Sequence, residues 1–216
     1  MIWSLNEIDA TCRKAARGAG FSWGMAEEAG KATRWLSERG QAGPDLLARL
    51  LLRNDRTPYA DLVPATTDGV WVAAGGTLCP LIAGAALCDR AADLWNGRAV
   101  TLSRTAFPLL LAPFADAIAH PRNLCVTLNW DDVTLSLTPN GVLVSGNAAA
   151  MQVEETEKVS ITANSQPVGT PLTGQQGRDV GQKTADILNA FAHRTYAPAT
   201  EESRVAGAGA GTTDND

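Results

Sequence analysis

Apolar and polar positions follow two different periods along this chain, and the switch falls near its middle. In Ser4-Leu5-Asn6-Glu7 the serine hydroxyl and the glutamate carboxylate are spaced to satisfy the opening amides of a helix. Leu5, Ile8, Cys12, Ala15 and Ala16 then fall on one arc at 100° per residue, and Gly18 and Gly20 end that helix. Ser22 caps a second helix running to about Arg39 and stopping at Gly40. Its apolar stripe is Met25, Ala29, Ala32 and Leu36. Glu27, Lys31, Arg34 and Glu38 line the opposite face with alternating sign. Pro44-Asp45 opens a third helix through Leu46–Arg53. Val70–Ala73 reads as a short strand, and Thr77 as the cap of a helix from Leu78 to Trp95.

Beyond this point the period shortens to two. Ala99–Ser103 is strand-like, and the apolar stretch Pro108–His120 holds a short helix from Pro113. Leu124, Val126, Leu128 and Trp130 share one face of a strand, Asp131-Asp132 turns, and Val133, Leu135 and Leu137 alternate back. Pro139-Asn140-Gly141 supplies a tight turn, followed by strands at Val142–Ser145 and Val159–Ala163. A last helix covers Arg178–Arg194, with Val180, Thr184, Ile187 and Phe191 inward. Helices and strands are segregated, so the expected class is α+β: N-terminal helices and a C-terminal helix packed on a small antiparallel sheet of three or four strands. The expected division is one domain over residues 1–200 and a Gly/Ala-rich acidic tail over residues 201–216.

Composition narrows the chemistry. The chain has 216 residues, 45% of them hydrophobic, enough to bury a sizeable core. Net charge is −5, but the last sixteen residues hold four carboxylates against Arg204, so residues 1–200 carry −2. A nearly neutral body without a basic block argues against nucleic-acid binding. Cys12, Cys79, Cys88 and Cys125 form no Cys-x-x-Cys pair and sit in apolar surroundings, as free thiols do in a reducing cytoplasm. With His120 and His193 the only histidines, no ligand pair has metal spacing, and no cofactor motif is present. The start of the chain lacks the charge and apolar run of a signal peptide. Gly69–Cys88 is twenty positions without a charge, the length of a membrane span. Its glycines, Pro80 and small residues fit a loop entering a buried helix instead, so no membrane association is expected.

Two segments are candidates for function. In Gly18–Lys31, with Met25 set at 0°, Glu28 lies near about −60° and Trp35 near about −80°, on the flank of the buried stripe. A carboxylate against an indole loses hydration and acquires the pKa of a general acid or base, which makes Glu28 the candidate catalytic residue. The alternative is that Glu28 reaches solvent at the stripe's edge or pairs with an arginine. Trp23 in the same segment is a candidate ligand contact. The second segment is the tail. A terminal Gly/Ala run fits a frayed end; the functional alternative is a flap. In that flap Gly207, Gly209 and Gly211 let backbone amides approach an anion while Asp214, Asn215 and Asp216 close over the ligand. Arg194, Tyr196 and Arg204 lead into it, Arg194 either bonding the last helical carbonyls or presenting its fork to a carboxylate or phosphate.

The stretches Ser4–Leu36 (SLNEIDATCRKAARGAGFSWGMAEEAGKATRWL) and Arg194–Asp216 (RTYAPATEESRVAGAGAGTTDND), with CPLIAGAALCDRAA between them, resemble an uncharacterised bacterial family, domain of unknown function family 3726. The resemblance implies no activity. The N-terminal helix pair is also faintly similar to the opening of the malate/L-lactate dehydrogenase type-2 family. Where that family continues Ala-Asp-x-x-Gly-His-x-Ser-His-Gly, this chain reads Ala32-Thr-Arg-Trp-Leu-Ser-Glu-Arg-Gly40, without histidine, so a nicotinamide dehydrogenase is not expected. Two functions remain. One is a cytoplasmic protein or metal-independent enzyme that binds a small anionic metabolite near the tail. The other is a non-catalytic accessory subunit whose tail inserts into a protein partner. Six tryptophans offer apolar surface for a homodimer.

Overall fold

The structure is a computed structural model that describes residues 1–172 and 178–196. After a two-residue strand β1 (Ile2–Trp3) come α1 (Leu5–Gly18), α2 (Trp23–Glu38), α3 (Gly43–Asn54) and a single turn α4 (Tyr59–Leu62). Strand β2 (Val70–Trp71), helices α5 (Pro80–Asp89) and α6 (Ala91–Trp95), and strands β3 (Val100–Leu102) and β4 (Thr105–Ala106) follow. A 3-10 turn at Pro108–Leu111 leads into α7 (Ala112–Ala119). The hairpin strands are β5 (Val126–Trp130), β6 (Val133–Thr138) and β7 (Gly141–Gly146). Then come β8 (Glu155–Thr156), β9 (Val159–Ala163), β10 (Thr170–Pro171), β11 (Arg178–Asp179) and α8 (Gln182–His193).

The helical periodicity translates directly into burial. Ser4 caps α1 with both reciprocal bonds: its Oγ accepts from Glu7 N at 3.2 Å, and its own amide donates to Glu7 Oε2 at 2.7 Å. Ile8, Cys12, Ala15 and Ala16 are the buried arc. Ser22 caps α2 by accepting from Met25 N. Two boundaries differ from the sequence reading. The expected Leu78–Trp95 helix begins at Pro80, because Leu78 is held in a β-bridge to Thr105 and Thr77 Oγ1 turns to Glu155, and it breaks at Arg90. The last helix begins at Gln182, because Arg178–Asp179 pairs with Ile2–Trp3 as a strand.

The class is α+β, but the sheet is not small. Among the described residues it has seven strands in the order β10-β7-β6-β5-β9-β3-β2, mostly antiparallel, with β2 parallel to β3. The expected meander is β5-β6-β7. It grows because β9 adds to β5 on one side and to β3 on the other, drawing in short strands from the helical half. Contact with the sheet is carried by α7, which lies on β5 and β6, rather than by the N-terminal and C-terminal helices. Helices α2 and α5 pack on α7, α1 and α3 on α2, and α8 across α1 and α3. Trp3, Trp71 and Trp130 are buried and Trp35 and Trp95 half-buried, which leaves Trp23 as the exposed tryptophan at 67%.

Candidate functional site

The outer corner where α1, the α1–α2 turn and the end of α8 meet is an open groove of about 770 Å³. Its walls come from three local causes. Arg13, Lys14 and Arg17 project from α1 within an arc of about 100°, opposite the buried stripe, so helical spacing gathers three cations on one side. Gly20, at φ +103°, reverses the chain after α1 and brings Trp23, the first residue of α2, to the rim. Gly18 lets α8 approach: a Cβ there would lie 1.8 Å from the Phe191 carbonyl oxygen. That contact brings Arg194, Thr195 and Tyr196 to the far wall.

Electrostatics divide the cations. Arg17 is committed, donating from Nη1 to the Phe21 carbonyl at 2.7 Å with its guanidinium 5.1 Å from the Trp23 ring. Arg194 is committed too. Its fork meets Asp55 at 2.6 and 3.1 Å, joining the end of α8 to the end of α3, and lies over the Phe191 ring. The Arg194 guanidinium holds the Asp55 carboxyl below its ordinary value, and Asp55 raises that of Arg194. Arg13 and Lys14 are exposed and have no ion pair or hydrogen bond among the described residues. Glu27 is the carboxylate on the rim.

The structure thus brings together three of the residues expected to bind ligand, Trp23, Arg194 and Tyr196. Arg194 serves neither expected role without change, since the carboxylate it grips is the chain's own. Arg204, Gly207, Gly209, Gly211, Asp214, Asn215 and Asp216 lie outside the described residues. The reading of Glu28 as a carboxylate desolvated by Trp35 is corrected. Glu28 Oε1 accepts from Lys31 Nζ at 2.7 Å, one turn along the same helix, and both side chains reach solvent. The carboxylate on the Trp35 indole is Asp116, which the sequence reading missed. Trp35 Nε1 donates to Asp116 Oδ2 at 2.7 Å, Arg39 sits 3.9 Å from that oxygen, and His120 Nδ1 lies 3.5 Å from Oδ1. Only the apolar run around Asp116 hinted at its burial.

Reactive chemistry is sparse among the described residues. Burial pushes the thiol of Cys12 up to about 12 and those of Cys79 and Cys88 to about 11, which keeps them protonated and non-nucleophilic at neutral pH. No group of three or more His, Cys, Asp and Glu side chains is arranged to hold a metal among the described residues. None of the described helices is long and apolar enough to cross a membrane.

No curated protein matches the chain. Among solved structures, malate dehydrogenase from Entamoeba histolytica is similar at 9% identity and a TM-score of 0.38. The alignment covers 89% of this chain but only 61% of that enzyme's length, and a likeness this loose carries no argument about activity. Residues 3–79 match the family described as Protein of unknown function (DUF3726), the family that the sequence itself resembles.

Proposed function

We propose that this chain is a cytoplasmic protein that binds a small anionic metabolite in the groove between α1 and α8. The observation that carries the reading is the pair of unpaired cations, Arg13 and Lys14, on a concave wall that also holds Arg17, Arg194, Trp23 and Tyr196. An oxyanion entering there gains charge-assisted bonds without breaking an internal ion pair, and the aromatic rims supply flat apolar surface. The four free thiols fit a reducing compartment. No described residue in the groove is placed as a nucleophile, so the reading is of binding first.

Thermal denaturation with inorganic phosphate, pyrophosphate and citrate tests it. Ligand at 100 times Kd adds about 2.7 kcal/mol, or about 5–10 °C of Tm for a chain this size. The gain should vanish in Arg13→Gln/Lys14→Gln. No shift with any of the three, in a protein that unfolds cooperatively, rejects the groove as an anion site. A second reading is favoured by the 67% and 59% exposure of Trp23 and Tyr196: an accessory subunit that docks a protein partner over these rings, or a second copy of itself. In that case anions leave Tm unchanged, and Trp23→Ser abolishes recovery of a stoichiometric complex.

A further inference from the structure

A second concavity lies on the other side of Gly20, between the α1–α2 turn, the end of α3 and the α3–α4 connection. It has a volume of about 250 Å³, and Phe21, Leu51, Leu62 and Ile82 give it an apolar floor. One cationic group on its wall lacks a partner. Arg56 lines the same cavity and makes no ion pair or hydrogen bond among the described residues, although it adds to the positive field on Asp55. Its backbone is left-handed, at φ +62°, which an L side chain adopts only against steric resistance. Arg56 is exposed on the α3–α4 connection.

We infer that this cleft is a binding site for a small monocarboxylate with a compact apolar body. The body lies on Phe21, Leu51, Leu62 and Ile82, and the carboxylate faces the Arg56 guanidinium. A dry cavity of about 150 Å³ holds a six-carbon ring, which scales to about ten non-hydrogen atoms for this one. The apolar floor and a single cation on the wall among the described residues favour a short, singly charged anion. This site does not depend on the α1–α8 groove. The two share Gly20 but use different cations.

Phenylacetate, with ten non-hydrogen atoms, is the probe, and phenylacetamide is its neutral counterpart. Calorimetry should show saturable one-to-one phenylacetate binding with Kd below about 1 mM. Methyl-resolved NMR should move Ile82 and Leu51. Arg56→Gly relieves the left-handed strain, so it folds at least as well as the parent chain, and it should weaken phenylacetate by about ten-fold or more while phenylacetamide changes by less than about three-fold. Arg13→Gln/Lys14→Gln should leave phenylacetate binding intact, so failure of the groove reading and failure of this one are distinguishable. No saturable binding by the folded parent chain overturns the proposal. So does equal affinity in Arg56→Gly, or methyl shifts confined to the groove.

Discussion

Replacing Trp35 by phenylalanine isolates a part-buried polar contact between two helices. Trp35 sits on α2 and Asp116 on α7, the helix that carries the sheet, and the indole N–H donates to the carboxylate at 2.7 Å. Asp116 is 8% exposed, so water cannot readily replace the lost donor. A hydrogen bond to a charged group contributes about 1.5–3 kcal/mol, and the Arg39 guanidinium, 3.9 Å from the same oxygen, stays as its partner. Phenylalanine keeps an aromatic face beneath the Arg39 guanidinium, 3.9 Å above the Trp35 ring, so most of that stacking survives. The expected destabilisation is about 2–3 kcal/mol, or about 4–12 °C in Tm for a chain of this length. Urea unfolding followed by far-ultraviolet circular dichroism gives the change directly. Pairing Trp35→Phe with Asp116→Asn in a double-mutant cycle should return a coupling above about 1 kcal/mol. A single-variant loss below about 0.5 kcal/mol, with additive double-mutant behaviour, would refute the assignment of this contact as a helix-to-helix tie.

Gly18→Ala places a methyl against the Phe191 carbonyl, so α1 and α8 must part. Denaturation should show a loss of about 2–3 kcal/mol, and the groove's anion response should fall with it. Asp55→Asn addresses pH. The Asp55 carboxyl is held below its unfolded value of 3.8 by Arg194, so its contribution is present above that pH and lost as pH falls through the lowered folded value. The variant should therefore lose less stability than the parent on acidification below about pH 4, measured by urea midpoints. Iodoacetamide at neutral pH should leave Cys12 and Cys79 unlabelled in the native protein and label all four cysteines after unfolding, as mass spectrometry would show.

The elements legible in the sequence are those whose signals are local. The Ser4 and Ser22 caps, the arc through Ile8 and Cys12, the Asp131-Asp132 turn and the alternation of Leu128 and Leu135 each lie within a few residues of their cause. What was missed depends on partners far along the chain. Nothing near Arg178 says that it pairs with Trp3, and nothing near Val159 says that its strand enters the middle of a sheet. The site divides in the same way. Trp23, Arg194 and Tyr196 could be named from local chemistry, but their meeting needs the close approach of α1 and α8 at Gly18. Glu28 was misread because helical angles give a direction and not a partner. Lys31, three residues on, was within reach, while Trp35's own partner came from Asp116 on another helix.

The insertion of β9 between β5 and β3 has a consequence in time. Strand β3 leaves the ribosome at residues 100–102, but the strand that bonds its open edge begins at residue 159. At about 5–20 residues per second, Val100 and Leu102 wait about 3–12 s for their partner. Through that interval the helical half carries an unpaired, apolar strand edge of the kind that recruits neighbouring chains. Before β9 is made, α7 can already lie against β5 and β6, but the β2–β3 pair has no bond to that sheet. Completion of β9 brings the pair in through a single strand.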